Sequence, residues 1–299
     1  MVHYNTCPVC GSSALQKTFS AKDHTVSGKF FGMECCQDCS FVFTNDVPPQ
    51  EEIGAYYASE NYISHSDTQK GLINRLYHLV RKRTLAGKRK LLQAKTGKST
   101  GHVLDIGCGT AAFLNEMKQA GWQITGLEPD ETARQNAQKL YGISPEPSHQ
   151  LFELAHESFD AITMWHVLEH VHPLHEYVAQ VKKLLKPGGK FFVAVPNYTS
   201  LDAQHYREHW AAYDVPRHLW HFSPKSMELL MNKHGLKLLH TKPMWFDSFY
   251  VSMLSEQYKN GKGNLLGALF TGLGSNLKAV SDKNRCSSVI YVMGLDESV

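Results

Sequence analysis

The sequence predicts an α/β fold, a largely parallel sheet with helices on both faces, preceded by a small cysteine-rich module. Three observations carry that expectation. The stretch His102-Val-Leu-Asp-Ile-Gly-Cys-Gly109 reads as a short buried strand running into a glycine turn, with Ala111 to Ala120 as the helix after it. A second apolar strand, Trp122 to Leu127, ends in Glu128, 21 residues after Gly107. At that distance a βαβ unit sets a carboxylate beside a nucleoside ribose. Finally, five of the seven cysteines fall in the first 39 residues.

Taken in order, residues 1–45 hold two knuckles, Cys7-Pro-Val-Cys-Gly11 and Cys36-Gln-Asp-Cys-Ser40, each ending in a small residue that suits a tight turn. Four thiolates from Cys7, Cys10, Cys36 and Cys39 make a closed tetrahedral zinc site, structural rather than catalytic. Cys35 lacks the two-residue spacing to Cys39. Residues 46–100 read as a helical linker or lid. Tyr56, Tyr57 and Tyr62 either close a pocket or pack the zinc module on the core. Ten Lys and Arg residues lie between Lys70 and Lys98, and Leu72, Leu76, Leu79 and Val80 recur at helical spacing, so a basic amphipathic helix is expected here. A solvated face is the plainer role for its charge, with RNA or an anionic membrane as the alternative.

Residues 101–299 read as one nucleotide-binding domain with insertions at 198–223 and 245–285. Phe159 to Trp165 is its next strand. Leu184-Leu-Lys-Pro-Gly-Gly189 is a turn, and Lys190 to Asn197 the strand that follows it. Ser223-Pro224 opens a helix that Gly235 ends. Leu236 to Met244 and Ser287 to Gly294 are the last two strands.

Gly107-x-Gly109-x-x-Ala112 also fits a dinucleotide fingerprint, but Asp105, two residues before the first glycine, would repel a pyrophosphate on the helix N-terminus. The same acid favours a sulfonium with a free ammonium group. With these motifs in register, residues 101–200 resemble the class I S-adenosylmethionine-dependent methyltransferases. The resemblance implies a seven-stranded Rossmann-like sheet whose last strand is antiparallel. It implies cofactor contacts at Asp105, Gly107, Cys108, Gly109, Glu128, Pro129, Trp165 and His166. Asp105 would complement the positive end, Glu128 the ribose hydroxyls, and Cys108 would offer main chain only. For adenine the sequence offers only Ser148-His149-Gln150-Leu151 where such proteins often carry an acid. The N-terminal zinc module resembles that of the deoxysugar C-methyltransferases, which are longer chains.

His166-Val-Leu-Glu-His170 resembles the metal-binding stretch of the ubiquinone-biosynthesis O-methyltransferases, where acid, acid and histidine take these places. On a helix His166, Glu169 and His170 would share one face. Histidine in the first place disfavours a hard cation, so the stretch reads as pocket floor. Eight of the 17 histidines lie between His166 and His221. An imidazole suits removal of an acceptor's proton, which makes His166, His170 and His218 the catalytic candidates, with His221 beside them.

A formal charge of +3 over 299 residues does not by itself imply a polyanion partner. No apolar run follows the start, and none is long enough to span a bilayer. A cytoplasmic setting is expected, with peripheral membrane contact through the apolar residues 245–285 as lid or docking segment. The reading is thus methyl transfer to oxygen or carbon of a small or lipid-linked metabolite such as a sugar, quinone-like ring or lipid. An RNA or protein methyltransferase is the rival enzyme, and a cofactor-binding adaptor without turnover is the non-enzymatic alternative.

Overall fold

The computed structural model describes residues 1–57 and 72–296, with side chains from residue 80 onward in the first helix. Tyr62 and the side chains of Leu72, Leu76 and Leu79 lie outside the described residues. The chain begins with three antiparallel strands, β1 (Leu15–Lys22), β2 (Phe30–Cys36) and β3 (Val42–Asn45), and continues into helix α1 (Leu72–Thr96). The central part of the chain then runs β4 (His102–Ile106), α2 (Ala112–Gln119), β5 (Gln123–Leu127), α3 (Glu131–Tyr141), β6 (Phe159–Trp165), α4 (Leu174–Leu184) and β7 (Leu185–Pro196). After α5 (Leu201–Tyr206) come β8 (Trp220–His221), α6 (Pro224–Lys233), β9 (Leu236–Pro243), α7 (Asp247–Asn260), α8 (Leu265–Ser281) and β10 (Ser288–Leu295).

Local chemistry sets the ends of these elements. Asp130 caps α3, its Oδ1 accepting from the Ala133 N–H at 2.7 Å, and Gly142 closes that helix in the left-handed region at φ 61°. Ser223 caps α6 in the same way, with Pro224 at the first helical position.

The central sheet has the order β5-β4-β6-β7-β10-β9, with β10 antiparallel to both neighbours. It has six strands where seven were expected. The missing edge strand survives as a single parallel bridge between Leu127 and Glu146. Pro145 and Pro147 flank Glu146, and proline has no N–H to extend a ladder, so pairing stops after one residue.

The N-terminal module is not walled off. Its sheet runs β1-β2-β3-β8, so a strand from the 198–223 insertion completes it. Val42 faces His221 and Phe43 faces Trp220 across that junction. One core carries Cys7, Val9, Phe41 and Phe43 together with Leu104, Ile162 and Val193 of the central sheet. Segment 245–285, expected as a lid or docking element, folds as the helical pair α7 and α8. One face is buried: Ser275 donates to Asp202 at 2.6 Å inside the core, and a side chain at Gly272 would strike the ring of Phe249 at 2.7 Å.

Candidate active site

The parallel strands end at one edge, and the glycine turn stands there. Gly107 and Gly109 are left-handed, at φ 69° and 55°. A Cβ at Gly107 would lie 2.5 Å from the Val167 side chain, so that position tolerates no side chain. The turn is tied to β5: Gly107 and Cys108 both donate to the Leu127 carbonyl, and Gly109 N donates to Glu128 Oε2 at 2.8 Å. Glu128 Oε1 accepts from Asp130 N at 3.0 Å, so this buried carboxylate sits directly against the loop. Pro129 is exposed in the following turn, and its carbonyl accepts from Arg134. Cys108 is half-buried, and burial and the nearby Asp105 raise its thiol far above the reactive range.

Asp105 lies one residue before the end of β4 and is buried. Burial raises its carboxyl to about 7, opposed by the Thr163 hydroxyl, which donates to Oδ1 at 2.5 Å, and by the Lys88 ammonium. Lys88 reaches in from α1, its Nζ standing 4.2 Å over the centroid of the Trp165 ring. The sequence offered Lys88 only as one charge of a basic helix. Trp165 ends β6, and its Nε1 is buried with no partner among the described residues. A buried carboxylate, an orphaned indole N–H and a ribose-spaced acid around an open glycine turn fit a nucleoside ligand with a cationic end.

Beyond β6 the chain forms no α-helix over His166 to His170, so the shared helical face does not arise. Only a 3-10 turn forms at Leu168–His170, and His166 is itself left-handed at φ 59°. His166 Nε2 lies 3.1 Å from Asp247 Oδ2, and Nδ1 lies 3.3 Å from Glu169 Oε1. Burial works against the imidazolium, but the two carboxylates outweigh it and raise His166 to about 9. Glu169 is fully buried, and neither oxygen receives a well-directed hydrogen bond among the described residues. Burial opposes its charge, yet His166, His170 and His218 lower its pKa, so it stays ionised.

The third member of the group is His218 in place of His166. Ligand atoms of Glu169, His170 and His218 lie within 4.8 Å of one another, a set that could also hold a cation. The two imidazoles meet edge to face at 4.5 Å. His170 is driven down to about 4, chiefly by burial and then by His218. Its Nδ1 contacts the Tyr57 hydroxyl at 2.9 Å and the Arg217 carbonyl at 3.1 Å. His218 Nδ1 lies 2.8 Å from the Ala212 carbonyl, which can only accept. Nδ1 therefore carries the proton of the neutral ring, and Nε2 presents the lone pair. His221 is spoken for elsewhere, with Nε2 2.9 Å from the Thr44 hydroxyl.

Three residues essential to this arrangement were missed in the sequence. Arg217 is buried between Asp214, at 2.6 and 3.0 Å, and Asp23, at 3.3 Å, and donates to the Tyr56 carbonyl at 2.8 Å. It thereby locks the N-terminal sheet, the tyrosine segment and the histidine insertion around His218. Asp23 and Asp247 come from regions with no local motif. Charge in an otherwise aromatic stretch was the one available signal for Arg217.

In the N-terminal module the sulfurs of Cys7 and Cys39 are 3.5 Å apart, as are those of Cys10 and Cys36, and all four lie within 4.8 Å of one another. Zn–S bonds of about 2.3 Å in a tetrahedron put sulfurs about 3.8 Å apart, so the set fits zinc. Cys35 points away, toward its neighbour's carbonyl.

Similarity to known proteins identifies the family. A methyltransferase-domain family matches residues 77–241. The ubiquinone biosynthesis O-methyltransferase of Nitrosococcus oceani is 30% identical over 205 residues, covering 63% of this chain and 78% of that protein. Its human mitochondrial counterpart is 26% identical over 164 residues, and the match covers 49% of this chain and 44% of that relative, less than half its length. Among solved structures, a candidate sarcosine dimethylglycine methyltransferase from Galdieria sulphuraria aligns with a TM-score of 0.51 at 15% identity, over 74% of this chain and 87% of that one. That likeness concerns the fold alone.

Proposed function

The chain belongs to the methyltransferase-domain family, and on that premise we propose that it moves a methyl group from S-adenosylmethionine to a hydroxyl oxygen of a quinone-like or lipid-linked small molecule. The observation that carries this is the buried Asp105 behind the Gly107–Gly109 turn, with Glu128 one strand over. The acceptor class follows the relatives named for ubiquinone biosynthesis. When bound, S-adenosylmethionine supplies an electrophilic methyl carbon on a sulfonium centre. Asp105 and Glu128 would hold its positive end and its ribose, and the open space at Gly109 leaves room for it.

A hydroxyl acceptor must lose its proton as the methyl arrives, and the three candidate histidines differ in their capacity to take it. His166 is already a cation at neutral pH, held so by Asp247 and Glu169. His170 resists protonation down to about 4. His218 has its Nε2 lone pair free of the Ala212 contact, with Glu169 and Asp214 carboxylates nearby to balance the imidazolium. His218 is therefore the general base, and His166 and Glu169 fix the floor beneath the acceptor. The cysteine cluster holds a structural zinc that braces the sheet carrying β8. Cysteines gathered as zinc ligands rather than as disulfides suit a reducing compartment such as the cytoplasm.

The test is calorimetry with S-adenosylmethionine, followed by transfer of a labelled methyl group to phenolic quinone precursors. Binding with transfer supports the reading, and His218→Ala should cut turnover by about 10²–10⁴ while leaving cofactor affinity intact. Failure to bind the cofactor would overturn it.

A further inference from the structure

Among the described residues, the outer face of α8 leaves its large apolar side chains exposed. Leu265, Leu266, Phe270, Leu273, Leu277 and Val280 are each between 47 and 73% exposed. Residues of the inner face, such as Ala268, Gly272 and Ser275, are buried. The helix is therefore sharply two-sided, with its large side chains on the water side and its small ones on the protein side. A soluble helix has the reverse arrangement, and an apolar surface of this size marks a contact. The neighbouring α7 adds exposed Met253, and Phe246 just before it is exposed as well.

Charge decides what covers this face. From Gln257 to Ser281 there is no acidic residue, while Lys259, Lys262 and Lys278 are all exposed. A second copy packed helix to helix would bring like charges together. An anionic surface would gain from each lysine, and lysines rimming a broad apolar helix face are the pattern of a helix lying in a membrane interface. No helix among the described residues is long and apolar enough to cross a membrane, so contact here is lateral. We propose that the outer face of α8, with the lysines around it, docks this protein on an anionic phospholipid bilayer. Because α7 begins at Asp247, which touches His166, docking sets the candidate active site beside the lipid surface. The inference rests on the exposed face and its charge, and stands whether or not the methyl acceptor is a quinone.

The full chain is mixed with phosphatidylcholine vesicles, with and without phosphatidylglycerol, and sedimented. Cofactor affinity and thermal midpoint are measured on the same samples. The wild type should sediment with the phosphatidylglycerol vesicles, less so in high salt. Phe270→Glu with Leu273→Glu should lower the bound fraction at least about tenfold with an unchanged midpoint, both sites being exposed. Lys259→Glu with Lys262→Glu should weaken binding to the anionic vesicles alone. No vesicle binding by the wild type, or equal binding by the first variant, overturns the proposal. So does a wild-type dimer in light scattering that Phe270→Glu with Leu273→Glu converts to a monomer. Cofactor binding reports separately on the methyl-transfer reading.

Discussion

Arg217→Met is the most informative single perturbation, because one buried guanidinium ties three segments of the chain together. Arg217 is 1% exposed at its side chain, Asp23 0% and Asp214 19%. Methionine keeps most of the volume but takes the guanidinium from Asp214 and from the Tyr56 carbonyl, while Asp23 keeps its bonds from Thr25 and Ser27. Removing one partner of a buried pair costs about 3–5 kcal/mol, and partial water access at Asp214 argues for the lower half of that range. In a chain of this size each kcal/mol moves the midpoint by roughly 2–4 °C, so a fall of about 6–15 °C is expected. The pH dependence supplies the sharper check. Burial pushes Asp23 up, but hydrogen bonds from Ser27 and Thr25 and the field of Arg217 bring it down to about 2. Burial likewise opposes ionised Asp214, and Arg217 is the main group lowering it. Depressed carboxylates contribute stability that is complete above their unfolded pKa, about 3.9, and is lost as pH falls toward the folded value. Part of that contribution is absent in Arg217→Met, so the gap between the two proteins should be full at pH 7 and shrink below about pH 4. Urea unfolding followed by circular dichroism at several pH values measures it. A deficit under about 1 kcal/mol, or one that stays constant into acid, would refute the role assigned to Arg217.

Further outcomes are expected. Glu128→Ala should weaken S-adenosylmethionine binding by about 1–3 kcal/mol in calorimetry, the scale for losing charge-assisted hydrogen bonds; equal affinity for NAD would end the cofactor assignment. Elemental analysis should find one zinc per chain in the wild type and in Cys35→Ser, and its loss in Cys36→Ser. His166 is raised to about 9, above its unfolded value near 6.5, so its contribution to stability is complete below about pH 6.5 and disappears as pH rises through 9. His166→Gln should accordingly flatten the stability profile across that interval, and an unchanged slope in denaturant titrations would count against the Asp247–His166–Glu169 pairing.

Local pattern alone determined a good part of this protein. The strand-turn-helix around Asp105, the acid at Glu128, the cap at Ser223 and the paired cysteine knuckles follow from short-range periodicity, turn chemistry and spacing. Their physics is contained in a few neighbouring residues. The shortfall in strand number was legible too, in hindsight, from the prolines on either side of Glu146. Only the tertiary structure decided the histidine site. A left-handed His166 pairs with Asp247 and Glu169, and His218, 48 residues after His170, joins Glu169 and His170 as the third member of their cluster. Which groups surround a buried charge depends on residues as distant as Asp23 and Arg217, 194 apart in sequence. The same holds for Lys88, whose helical position marks it as a surface charge until Asp105 and Trp165 are brought beneath it. Long-range electrostatics reads distance through space, and no spacing along the chain encodes it.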